Sequence, residues 1–201
     1  MIQGQLDVPL DDTGREQAIA AASALAATLP YAVVSSDLSR ALDTARLVAA
    51  AAGLPVAVDQ RLRELDLGSW QGLTSEQARD SHPDEHADWR AGVDVRRGGG
   101  ETYAEAGARA MAAMLSVDLP PGRTLVAVTH GGTARAAVAA LLELPPEHAW
   151  RLAALGNCCW SVLVEADRGW RLERHGAEVG SPAGPPAGGH DLGARPAPTT
   201  L

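Results

Sequence analysis

His130 stands where the apolar run Thr124-Leu-Val-Ala-Val-Thr129 gives way to Gly131, Gly132 and a helical pattern ending near Leu144. A strand that turns into a helix in this way presents unpaired N–H groups and a partial positive charge at the helix start, a setting that favours an anion. Two glycines there let a ligand approach the backbone. Read alone, Thr-His-Gly-Gly fits equally a turn whose histidine only caps the helix. Arg40 lies in the first turn of a second helical run, Ser39 to Ala52, just after Ser35, Ser36 and Asp37. A cation is poorly placed for the helix dipole at that point. A bound phosphate, gripped bidentately by the guanidinium, accounts for it; so does a solvated arginine paired with Asp37 or Asp43. Glu64 falls in Arg61-Leu-Arg-Glu64-Leu-Asp-Leu-Gly68-Ser-Trp-Gln-Gly72, an irregular stretch with the apolar content of a packed functional loop. Partial burial there would raise its pKa and suit it to protonating a departing alkoxide, the alternative being an ion pair with Arg61 or Arg63.

Two other clusters offer chemistry. His82-Pro-Asp-Glu-His86 holds metal-ligand residue types, but Pro83 spoils a simple helical face for the two histidines and no further block completes a ligand set, so it reads as a surface loop. Arg174-His175-Gly176 follows an alternating rather than a buried apolar run, and reads as a solvent-facing histidine. Cys158 and Cys159 are neighbours, too close across a trans peptide for a relaxed disulfide; they read as free thiols in core packing.

The elements that must position these residues alternate. A helix is predicted from Thr13 to about Leu29, capped by Asp12 or Thr13 and ended by Pro30. A buried strand Tyr31–Ser35, the helix over 39–52, a brief strand Val56–Val58, a helix near Ser75–Asp80 and a helix from Glu101 to Val117 follow. After the strand and helix around His130, two strand-like runs, Cys158–Glu165 and Trp170–Glu173, read as a hairpin. Strands alternating with helices predict an α/β, three-layer αβα sandwich on a mostly parallel central sheet, with active groups at the carboxyl ends of the strands. Residues 177–201 are rich in Gly, Pro and Ala and are predicted to be a disordered tail that contributes nothing to folding, leaving 1–176 as the domain.

The 201 residues suffice for one domain with a sizeable core. A formal net charge of -8 disfavours nonspecific attraction to nucleic acid or anionic membrane, so an anionic ligand must be drawn by a local cluster of positive groups. No membrane span or signal peptide is visible, and paired free thiols fit a reducing cytoplasm.

Gln3-Gly-Gln-Leu-Asp-Val-Pro-Leu10, Gly14-Arg-Glu-Gln-Ala18, Ser36-Asp-Leu-Ser-Arg40-Ala with Thr44-Ala45, Arg63-Glu64 with Gly68-Ser-Trp-Gln-Gly72, and Thr129-His-Gly-Gly132 together resemble the histidine phosphatase family of the phosphoglycerate-mutase-like superfamily. The likeness covers roughly residues 2 to 173. It implies that Arg40 holds phosphoryl oxygens, that His130 is the second pocket histidine, that Glu64 is the proton donor, and that Gln3, with Gly131, contacts substrate. It implies a phosphohistidine intermediate and no metal or cofactor. Trp89 and glycines 98–100 would belong to a cap on the substrate side.

In the family an Arg-His-Gly block ending a central first strand supplies the nucleophile, and the resemblance places it roughly a dozen residues before Gln3, outside this chain. From this follows an expectation that the chain from Met1 is poorly stable and nearly inactive on aryl phosphates, with two sheet edges open, and that an upstream extension restores both. Within the family the chain resembles the glucosyl-3-phosphoglycerate phosphatase group, on Gln3–Asp7, Trp70–Thr74 and Gly156–Trp160. The expected substrate is a small phosphomonoester of sugar-phosphate or phosphoglycerate type. Mutase-type phosphoryl transfer is the rival; mutases tend to be longer between the acid loop and the second histidine, where this chain has 65 residues between Glu64 and His130. A noncatalytic phosphate-binding module is the other alternative. A small phosphorylated metabolite is the expected partner, with a homodimer left open.

Overall fold

The computed structural model describes residues 1–181 and 198–200. In chain order they form helix α1 (Asp12–Ala26), strand β1 (Ala32–Ser35), α2 (Ser39–Ala52), β2 (Val56–Val58), α3 (Ser75–Ser81), α4 (Pro83–Arg90), α5 (Tyr103–Leu115), β3 (Leu125–Val128), α6 (Gly131–Leu141), β4 (Trp160–Ala166), β5 (Gly169–Ala177) and β6 (Pro198–Thr200), with short 3-10 turns between. The sheet order is β2-β1-β3-β6-β4-β5. β1 pairs in parallel with β2 and β3, and β3 with β6, while β4 runs antiparallel to both β6 and β5.

Alternation along the central strands sends successive side chains to opposite faces. Val34, Leu125, Ala127 and Leu163 meet Ala110, Ala113, Met114, Ala137, Val138 and Leu141 of α5 and α6 on one face. Val33, Val126, Trp160 and Val162 meet Ala21, Ala22 and Leu25 of α1 and Ala45, Val48 and Ala49 of α2 on the other. These two clusters are the αβα sandwich that the alternation of elements predicts. Alanine lines much of the helix faces, and its small side chain lets helices approach closely. One close approach is at Gly107 of α5, where a Cβ would lie 2.6 Å from the Ala136 carbonyl oxygen of α6.

Several local expectations are corrected. The α1 cap is Asp11, whose carboxylate accepts from the Gly14 N–H at 2.7 Å, rather than Asp12 or Thr13. The segment around His82 and His86 is helical: Pro83 takes the first turn of α4, where a missing N–H and a fixed φ fit, and His82 precedes it. His86 stacks on Trp70 with ring centroids 5.8 Å apart. Residues 177–201 are not disordered throughout, because Ala177 closes β5 and Pro198–Thr200 forms β6; residues 182–197 and 201 lie outside the described residues. The expectation of two open edges within the sheet meets a specific arrangement: β3 and β4 do not pair with each other, and β6 bridges them.

Gly107→Val should wedge α5 from α6 and lower stability by about 1–3 kcal/mol. A denaturation midpoint equal to wild type would show that the helices separate freely.

Candidate active site

Three structural units converge on one cleft. β1 ends at Ser35 and delivers Ser36, then α2 with Arg40 in its first turn. An irregular chain after β2 carries Glu64. β3 ends beside His130, and α6 starts at Gly131. Gln3, Arg40, Glu64, His130 and Gly131 all line a cleft of about 660 Å³.

His130 is buried, 9% exposed, and its Nε2 lies 2.9 Å from Ser36 Oγ. Burial pushes its pKa down to about 3, with the Arg40 and Arg109 charges adding to the effect and Asp37 opposing it. The imidazole is therefore neutral near pH 7. Arg40 is half-buried, and desolvation lowers its pKa against the pull of Glu64 and Asp7. Its Nη1 donates to the Leu6 carbonyl at 2.7 Å and its Nη2 to that of Gly4 at 2.9 Å, so the N-terminal segment is fastened to the start of α2. The Asp7 carboxylate accepts from the Ser39 N–H at 2.7 Å and thereby satisfies an orphan donor of α2; hydrogen bonding by the side chain and then the backbone of Ser39 holds its pKa below the usual range. Neither acid offered from the sequence as a partner for Arg40 takes it. Asp37 is bound by Arg63 at 2.5–2.7 Å, and Asp43 by Arg46 at 2.9 Å.

Glu64 is free of the ion pairs considered for it, since Arg63 goes to Asp37 and Arg61 to Asp59. Its carboxylate instead sits on the N-terminus of α6: Oε1 accepts from the Thr133 N–H at 2.9 Å, Oε2 from the Gly132 N–H at 3.1 Å, and Oε1 also from its neighbour Leu65 N–H at 2.8 Å. The helix end that the sequence offers to a ligand is thus shared with the acid. This also corrects the reading of Gly132. A Cβ there would lie 2.5 Å from Leu65 Cδ1 and 2.7 Å from Glu64 Oε1, so this glycine admits the acid rather than a ligand, whereas a Cβ at Gly131 would meet only the Leu155 carbonyl at 3.7 Å.

Other sequence candidates fall elsewhere. His175 of Arg174-His175-Gly176 is inside β5, where its Nε2 donates to the Ala153 carbonyl at 2.8 Å and its Nδ1 accepts from Ser161 Oγ at 2.8 Å. Both nitrogens are occupied, and the residue does not line the cleft. Cys158 and Cys159 do line it, although Cys158 also packs against the α1/α2 core, so they are not simply core residues. Trp89 and Arg97 form part of the flank beyond the acid loop: the Arg97 guanidinium lies 5.5 Å from the centroids of both Trp89 and Tyr103. Ser36, Gln5, Thr133 and Arg109 were not singled out from the sequence as site residues. Only Ser36 carried a signal there, as a cap at a strand end.

The chain belongs to the histidine phosphatase superfamily (branch 1), whose family model matches residues 1–178. It is 42% identical over 171 residues to the glucosyl-3-phosphoglycerate phosphatase of Mycobacterium tuberculosis, covering 81% of this chain and 77% of that one. It is 37% identical over 175 residues to a probable phosphoglycerate mutase GpmB of Yersinia enterocolitica, covering 84% and 79%. A solved complex of the mycobacterial glucosyl-3-phosphoglycerate phosphatase with inorganic phosphate superimposes with a TM-score of 0.80 at 38% identity, covering 89% of this chain and 92% of that one. Among the described residues no helix is long and apolar enough to cross a membrane.

His130 should mark the pH dependence of stability. Its folded pKa lies below the value of about 6.5 for an unfolded histidine, so the unfolded chain binds the extra proton and stability falls as pH drops from about 6.5 towards 3. Replacing it in His130→Gln should flatten that part of the stability curve relative to wild type, measured by denaturation at successive pH values.

Proposed function

We propose that this cleft hydrolyses small phosphomonoesters of the sugar-phosphate or phosphoglycerate type, and that Arg40, Glu64 and His130 form its phosphoryl pocket. One observation carries the reading: a cation, an acid and a neutral buried histidine from three separate segments line one cleft at the start of a helix. Arg40 grips phosphoryl oxygens with the N–H groups left over from its two carbonyl partners. His130 donates a hydrogen bond in its neutral form, and a dianion beside it pulls its pKa upward, so it gains positive charge as negative charge accumulates on the equatorial oxygens.

In the family's reaction an imidazole nitrogen attacks phosphorus, the P–O ester bond breaks, and the leaving alkoxide takes the proton of the acid, here Glu64. Water then adds to phosphorus, the P–N bond breaks, and the carboxylate recovers the water's proton as inorganic phosphate departs. The resemblance assigns the attack to the histidine of an Arg-His-Gly block and keeps His130 as the second histidine. The adjacent free thiols support a reducing compartment such as the cytoplasm.

Mutase-type transfer uses the same groups, and an assay of products separates the two. Incubation of a form extended upstream to include the Arg-His-Gly block with 3-phosphoglycerate and with glucosyl-3-phosphoglycerate should release inorganic phosphate without forming the 2-phosphate isomer; isomer formation would give the mutase reading. Phosphate uptake without turnover would give the noncatalytic module. Arg40→Ala should weaken binding of inorganic phosphate about tenfold or more, the loss of a charge-assisted hydrogen-bonding group, and Glu64→Gln should lower kcat by about a hundredfold to ten-thousandfold. Unchanged phosphate affinity in Arg40→Ala would remove Arg40 from the pocket.

A further inference from the structure

The residues from Arg61 to Asp66 place the acid, yet beyond the 3-10 turn at Gln60–Leu62 they belong to no helix or strand. Their backbone carbonyls must therefore find donors outside regular structure. Side chains supply them. Thr129 Oγ1 donates to the Leu62 carbonyl at 2.7 Å, Thr133 Oγ1 to that of Arg63 at 2.8 Å, and Gln5 Nε2 to that of Glu64 at 3.0 Å.

One residue serves three of these carbonyls. Arg109, on α5, donates from Nη1 to Arg61 at 2.6 Å and to Arg63 at 2.8 Å, and from Nη2 to Glu64 at 3.0 Å. The other edge of the same guanidinium is held by Glu101, with Nε to Oε1 at 2.7 Å and Nη2 to Oε2 at 2.8 Å. Glu101 in turn clasps the far side of the loop: its Oε2 accepts from the Asp66 N–H at 2.9 Å, and its own N–H donates to the Asp66 carbonyl at 2.8 Å. The pair is mostly shielded, with side chains 19% and 23% exposed. Resting on the reading of Glu64 as the proton donor, we infer that Arg109 and Glu101 are positioning residues that fix the Glu64 backbone so that its carboxylate meets the leaving oxygen. A planar fork of five donors can bridge three carbonyls and a carboxylate at once, which a lysine ammonium with three donors cannot.

The role has a signature that a merely structural ion pair lacks. Protonation matters when the leaving group is a poor one, an alkoxide such as the glycerate oxygen; a nitrophenolate leaves without it. Misplacing Glu64 therefore slows alkyl phosphates selectively. The test, made in the form extended upstream to include the Arg-His-Gly block, compares wild type, Arg109→Lys, Arg109→Met, Glu101→Gln and Glu64→Gln on 3-phosphoglycerate and on p-nitrophenyl phosphate, with inorganic phosphate affinity as the check that the Arg40 pocket is intact. Arg109→Met is expected to lose about tenfold to a hundredfold in kcat on the alkyl substrate and much less on the aryl one, with KM and phosphate affinity little changed. Arg109→Lys and Glu101→Gln should lose less, in the same selective pattern. Equal losses on both substrates in Arg109→Lys, the variant that keeps the charge and the ion pair, would overturn the inference, as would no loss in Arg109→Met. Glu64→Gln separates the two readings: if it shows the leaving-group selectivity and the Arg109 variants do not, the positioning role fails alone, and if Glu64→Gln itself shows none, the proton-donor reading fails and takes the inference with it.

Discussion

The contact on which the site depends is the one between the Glu64 carboxylate and the first N–H groups of α6. It joins an irregular chain to the strand-turn-helix unit that carries His130, and it does so through donors that no helix can satisfy internally. The Thr129 and Thr133 hydroxyls tie the backbone of the same loop to this unit through the Leu62 and Arg63 carbonyls, and the carboxylate contact adds the acid's own side chain to the joint. With it, acid and histidine are anchored to the two sides of one turn. Thr133 strengthens the joint, because its N–H binds the Glu64 side chain and its hydroxyl the Arg63 carbonyl. The helix dipole acts in the same direction, since its positive end faces both the carboxylate and the cleft.

Electrostatic balance across the cleft follows from where each charge is spent. Most arginines near the site are committed to acids: Arg63 to Asp37, Arg61 to Asp59, Arg109 to Glu101. Arg40 differs in that it donates to the Leu6 and Gly4 carbonyls, which satisfy its geometry without neutralising its charge. A net-acidic protein can in this way keep an effective cation in a cleft, beside the buried, neutral His130.

Much of this was legible from the amino-acid order, and the parts that were not share a cause. Strands such as Leu125–Val128 and the helices beside them declare themselves through runs of apolar residues and caps, so the layered architecture and the segments carrying Arg40, Glu64 and His130 could be named. Chain geometry at α4 could not, because Pro83 is both a helix starter and a helix breaker and local pattern does not choose between them. Tertiary partners were equally hidden. Gly132 looks from the sequence like room for a ligand, and only the approach of Glu64 from 68 positions away shows which group needs the space. Arg109 sits in an alanine-rich helical pattern as an ordinary exposed-face residue, and its carbonyl partners lie more than 40 positions earlier.

The close seat of Gly107 against the Ala136 carbonyl has a consequence for how such a site can change over generations. α5 carries Arg109 and α6 carries the N–H groups that receive Glu64, so the spacing between these helices sets the relation between the two anchors of the acid. A side chain at 107 would move one anchor against the other while touching no substrate. Selection acting on turnover would then reach a position in the protein interior, and the helix interface would drift more slowly than its burial alone requires.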